Sequence, residues 1–205
     1  MVVNSRLQER SVIDTNGAAG RRAFDRRRLL LTTATGLVAA GTGARLAAAA
    51  TDDDLAVANF GLASSYLAAD FHAKALASGK LGPGPRGWLR AGRSAAVGHA
   101  RELTTLLTGA GDTPATAEDF ELAWPAGTFT TAARIRSTGV GVLRPLRAAY
   151  QQAAASVSEP TCRVLFASLA ASYGEQLGHL SGSVESFPKP MDLETASAAL
   201  ESYLG

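Results

Sequence analysis

From Leu55 onward the apolar positions recur by sevens. Leu55, Leu62, Ala69 and Leu76 form one line of a helix, with Ala58, Ser65 and His72 on the line beside it. Thr51 followed by Asp52, Asp53 and Asp54 supplies a cap and first-turn acids that suit the positive end of a helix dipole, and Gly79 supplies a stop. The pattern predicts a long first helix whose second line carries a hydroxyl and an imidazole where a core would normally hold Leu. Lys80 to Gly87 contains Gly-Pro-Gly-Pro and reads as an extended connector. A second helix opens near Trp88, runs to about Leu107 and stops at Gly109–Gly111. Ala96, Leu103 and Leu106 form its stripe, and His99 and Glu102 lie beside that stripe three residues apart.

Asp112 to Thr128 reads as a loop with a short turn of helix near 117–122; its aromatics, Phe120, Trp124 and Phe129, are placed to cap a bundle. A third helix is expected over about 130–157, with Ile135, Val142, Leu146, Tyr150 and Val157 on one face. Gly139, Gly141 and Pro145 predict a bend or break near its middle. A fourth follows over about 161–184 with Phe166, Leu169, Tyr173, Leu177, Leu180 and Val184, and residues 187–190 form a linker. Asp192 then caps a short final helix with Leu193, Ala196, Leu200 and Leu204. Four long helices without strand-like alternation predict an all-α fold: an antiparallel four-helix bundle with a short C-terminal helix over residues 51–205.

Charge separates this body from what precedes it. Residues 1–50 carry eight Arg against three acids, a net of +5, whereas residues 51–205 carry twelve bases against fifteen acids, a net of −3. The basic excess therefore belongs to a leader. Residues 1–28 end in Asp25-Arg26-Arg27-Arg28, and Leu29 to Ala40 is apolar and uncharged. That stretch is shorter than the roughly 20 residues a spanning helix needs, and the order of charged, apolar and small-residue regions is that of an export signal. Ala-x-Ala frames precede Thr51, which places cleavage near Ala50. The paired arginines before Leu-Leu-Leu, in a weakly apolar signal, resemble a twin-arginine signal. The resemblance implies the twin-arginine export machinery as a partner of Arg26, Arg27 and Arg28, and delivery across the cytoplasmic membrane to a periplasmic, cell-wall or extracellular location. No later segment of the mature chain is expected to span a membrane. The body shows neither a basic run nor interleaved stacking aromatics, so nucleic-acid binding has little support. Cys162, the one cysteine, has no partner for an internal disulfide and reads as a small buried residue.

Three segments carry a further resemblance. Asn59-Phe-Gly-Leu-Ala-Ser-Ser65-Tyr-Leu-Ala-Ala-Asp-Phe71-His72, then Ser137-Thr-Gly-Val-Gly-Val142, then Ser186-Phe-Pro-Lys-Pro-Met-Asp-Leu193, resemble the ferritin-like domain proteins of the exported, desiccation-related type. Bundles of that kind hold two irons through a Glu from each of two helices and a Glu-x-x-His pair from each of the other two. Carried onto this chain, the ligand positions fall on Ser65 and Ala68, on His99 and Glu102 with the two types exchanged, on Arg136, and on Gln176 and His179. Only one of them keeps its expected type, and Arg136 would bring a permanent positive charge toward the metals.

The resemblance thus implies an exported ferritin-like protein that lacks a standard di-iron site, with a structural, binding or stress-related role, a non-enzymatic function favoured, and no cofactor expected. It also allows a homodimer, since such bundles often pair. The alternative is a metal-binding protein or oxidoreductase with a rearranged site, in which His72, His99, Glu102 and His179 hold zinc, copper or one iron. Against it stands the reading in which His72 and His99 bond to Ser65, Gln176 or a backbone carbonyl. No nucleophile elbow, phosphate loop or convergent carboxylate pair offers another catalytic site; Glu118, Asp119 and Glu121 read as a solvated loop cluster.

Overall fold

The computed structural model describes residues 50–182 and 189–204. Residues 1–49 of the predicted signal segment, with Arg26, Arg27 and Arg28, and residues 187 and 188 of the predicted linker lie outside these residues. Within them the order is α1 (Asp52–Ser78), α2 (Arg86–Gly109), a 3-10 turn (Ala117–Asp119), α3 (Ala132–Ser156), α4 (Pro160–Ser181), α5 (Leu193–Leu200) and a closing 3-10 turn (Glu201–Tyr203).

Local chemistry sets most of these boundaries. The Thr51 hydroxyl accepts from the Asp54 N–H while the Asp54 carboxylate accepts from the Thr51 N–H, a reciprocal cap that contributes about 1 kcal/mol. At the far end Gly79 takes φ 65°, a left-handed conformation that glycine adopts without a Cβ penalty. Asp192 caps α5 by accepting from Thr195 N–H at 2.7 Å. Glu159 caps α4, with Pro160 in the first turn, where its missing N–H costs nothing. The fourth helix stops at Ser181, short of the expected Val184, because Gly182 turns left-handed at φ 70°.

Of the bend or break predicted near the middle of the third helix, the break does not occur: α3 runs as one helix through Pro145. The ring of a helical proline meets the carbonyl four residues earlier, here that of Gly141, where no side chain stiffens the backbone. Val142, Leu143, Pro145 and Leu146 are all buried, and their packing offsets the lost backbone bond.

α1 packs along α2, and α3 along α4, with α5 laid against α3. Both pairs run antiparallel: Gly61 of α1 faces Leu103 of α2 and His72 faces Gly92, while Tyr150 of α3 stacks on Phe166 of α4 and Arg136 reaches His179. The result is an all-helical bundle, with no strand among the described residues. Gly139 is a point of closest approach, since a Cβ there would lie 2.5 Å from Phe71 Cζ. Two of the three predicted capping aromatics, Trp124 and Phe129, come together, while Phe120 packs on Tyr66 instead at 5.8 Å. Trp124 packs on Phe71, Phe129 and Tyr203 at centroid distances of 5.7, 5.5 and 5.5 Å, and its indole N–H donates to Asp70 at 2.6 Å. No helix among the described residues is long and apolar enough to cross a membrane.

Candidate functional site

The interior between the two helix pairs is where a bundle would build a site, and here side chains fill it. His72 is fully buried on α1, and its Nε2 donates to Gln176 Oε1 on α4 at 2.7 Å. The Gln176 amide is oriented by its own donation to Ser172 Oγ at 3.2 Å. Burial pushes the His72 pKa down to about 4, against a smaller upward pull from Gln176, so the ring is neutral at pH 7. Gly92 on α2 makes room for it: a Cβ there would stand 2.7 Å from His72 Cε1 and Nε2.

One layer away, the Tyr150 and Tyr173 rings stack at 5.7 Å and 9°, and Tyr150 stacks on Phe166 at 6.2 Å. The Tyr150 hydroxyl shares a 3.0 Å hydrogen bond with Ser64, whose Oγ also reaches the Phe60 carbonyl at 2.8 Å. Burial drives the Tyr173 phenol up to about 12, partly offset by Ser65 nearby, yet neither the Tyr173 nor the Ser65 oxygen attains hydrogen-bonding geometry. The sequence pattern had marked Tyr150 and Tyr173 only as apolar stripe positions. The signal that they form a polar-aromatic layer was the Ser64-Ser65 pair on a buried turn of α1.

The four proposed ligands are not drawn to one point. His99 packs edge-on against Tyr173 at 5.9 Å, and burial lowers its pKa. It lies seven residues beyond Gly92, and so about 10 Å along the bundle from the level of His72. Glu102 is exposed. His179 is half-exposed, stacks on Trp88 at 5.7 Å and 7°, and stands 4.0 Å from Glu175. Trp88 also meets His72 edge-on at 6.2 Å, so the indole packs against both imidazoles while they point to different partners. Among the described residues no group of three or more His, Cys, Asp or Glu is placed to hold a metal ion.

The positions matched to the di-iron ligands do not fit that group either. Ser65 and Ala68 are buried without a carboxylate, and Gln176 is engaged by His72. Arg136 turns away from the interior and donates from Nη1 to the carbonyls of His179 and Leu180 at 3.3 and 3.1 Å. The expected charge beside the metals is instead a cation at the negative end of α4, where it is favourable.

Two further features lie outside this interior. Cys162 is buried as expected, and burial pushes its thiol up to about 12, so it carries no thiolate at neutral pH. An open groove of about 440 Å³ runs between α1 and α2, lined by Tyr66, Ala69, Ala96, Val97 and Arg101 among others and by none of the four candidate ligands. Comparison of the chain with protein-family models, with curated proteins and with solved structures found no match.

Proposed function

We propose that this chain is an exported ferritin-like bundle in which the di-metal centre is replaced by a packed polar and aromatic interior, and that it serves a structural, binding or stress-related role outside the cytoplasm through its surface. The observation that carries the reading is the buried His72–Gln176 bond, which spends two positions of the interior on each other. Arg136, bonded to the end of α4, supports it. The family and the export rest on the residues that resemble ferritin-like proteins and on the arginine leader.

The deciding experiment is metal analysis of protein recovered without an affinity tag from the compartment that receives it. The expected result is no stoichiometric metal and a melting temperature unchanged by chelator. A stoichiometric metal that disappears in a His99→Ala, His179→Ala variant would overturn the reading in favour of the rearranged metal site. For export, replacing Arg26, Arg27 and Arg28 by Lys is expected to retain the precursor in the cytoplasm. Normal export of that variant would refute the twin-arginine assignment.

A further inference from the structure

The body after residue 50 is net acidic, but its charge is unevenly placed. Between Asp70 and Glu102 there is no acid, while Lys74, Lys80, Arg86, Arg90, Arg93 and Arg101 all fall there. Lys74 is paired with Asp70 at 2.6 Å. The four arginines are on α2, all exposed, and none of their guanidiniums makes a hydrogen bond or ion pair with another described residue. At 100° and 1.5 Å per residue, positions 86, 90, 93 and 101 lie within about 80° of arc and extend about 22 Å along the helix. They form a straight cationic edge.

Two properties of α2 indicate that this edge is not there to stabilise the helix. Arg86 and Arg90 sit at its start, where the dipole favours acids, and the first turn has neither an acid nor a side-chain cap. The residues on the outer surface beside the arginines include Gly87, Ala91, Ser94, Gly98 and Thr105, with Val97, 37% exposed, inside the arginine arc and Glu102 exposed beyond the small residues, so within the arc only a short side chain stands among the guanidiniums. A low, flat helix face with long cationic side chains along one edge matches a planar array of anions. It lacks exposed aromatic rings for base stacking, since Trp88 is already stacked on His179.

We propose that the Arg86–Arg90–Arg93–Arg101 edge of α2 is a docking surface for an anionic phospholipid bilayer, which it meets side-on, with the phosphate headgroups as its ligands. The partner is chosen by charge complementarity: each arginine near such a surface contributes about a fivefold gain in partitioning, and salt screens it. The apolar face of α2 stays committed to the bundle, with Leu89, Ala96, Leu103 and Leu107 buried, so the contact is electrostatic and reversible rather than inserted. The inference does not depend on what fills the interior.

The test is flotation of the full chain with vesicles of phosphatidylcholine alone or of phosphatidylcholine mixed with anionic phosphatidylglycerol, whose surface potential attracts basic segments. Wild type is compared with an Arg86→Gln, Arg90→Gln, Arg93→Gln, Arg101→Gln variant and with an Arg26→Gln, Arg27→Gln, Arg28→Gln variant that weakens the basic leader. Binding is expected on anionic vesicles only, falling at least tenfold in the α2 variant and fading with added salt. The leader variant is expected to keep the α2-dependent part. Circular dichroism melting of the α2 variant should stay close to wild type, because none of the four guanidiniums makes a hydrogen bond or ion pair within the described fold. Equal binding by wild type and the α2 variant, binding that ignores lipid charge, loss that follows the leader alone, or capture by a DNA duplex but not by vesicles would each overturn the proposal.

Discussion

His72 Nε2 donates to Gln176 Oε1 over 2.7 Å inside the bundle, joining α1 to α4 across 104 residues of chain. Gln176 Oε1 has no hydrogen to give, so the ring carries its proton on Nε2, and Nδ1 is left buried without a partner. Protonation at Nδ1 would leave this bond in place but would put an uncompensated charge in the dry interior, and burial outweighs the upward pull of Gln176.

This makes stability depend on pH in a defined direction. The folded pKa of His72 is about 4 and that of the free side chain is 6.5, so the unfolded chain binds more protons between those values. The contribution is fully present above pH 6.5 and is lost as pH falls toward 4, reaching on the order of 3 kcal/mol. His99, whose pKa burial also lowers, acts in the same direction. Denaturant midpoints at pH 7.5, 6 and 5 should fall, and a His72→Gln variant, whose amide still reaches Gln176, should flatten the decline. A decline of the same steepness in that variant would remove His72 as its cause.

Two glycines on α2 should respond oppositely to alanine. At Gly92 the new methyl meets a ring that Gln176 holds in place, and overpacking of this kind costs about 1–3 kcal/mol, outweighing the gain in helix propensity. At Gly98 a Cβ meets open space, so Gly98→Ala should stabilise by about 0.5–1 kcal/mol. Thermal melting of the two single variants gives both signs at once.

The stacked tyrosines offer a second contrast. Tyr150→Phe removes a buried hydroxyl and orphans Ser64 on that side, with an expected loss of about 1–2 kcal/mol. Tyr173→Phe removes a buried hydroxyl that has no hydrogen-bond partner, and it should be neutral or slightly stabilising. Urea unfolding of both variants checks the ordering; equal losses would mean that the Tyr173 hydroxyl is satisfied in solution.

Arg136→Glu places at position 136 the carboxylate that the proposed ferritin-like reading would put there. Arg136→Glu replaces a donor to the His179 and Leu180 carbonyls with an anion at the negative end of α4, and is expected to cost about 1–2 kcal/mol. Calorimetric titration with ferrous iron should show no gain in affinity over wild type. A gain would mean that position 136 turns inward once the arginine is gone.

Much of this architecture was legible because its causes are local. The Thr51 and Asp192 caps, the Gly79 stop and the cap role of Trp124 follow from short-range hydrogen bonding and from aromatics clustered in one loop. Gln176 was even among the partners considered for His72. That α3 continues through Pro145 was not legible, because the proline's cost is local whereas the burial of its neighbours is set by distant packing. The α2 arginines are dispersed in sequence and align as a set only when projected onto a helix.

The sequence by itself determined the helices, most of their ends and most of the faces they bury, since periodicity and capping act within a few residues. Only the tertiary structure decided what the interior became. Whether His99 and Glu102 converge with His72 and His179 depends on the rotation and axial register of four helices, which packing between distant residues sets. That register places His72 opposite Gly92 and Gln176, puts His99 two turns away against Tyr173, and turns Glu102 to solvent.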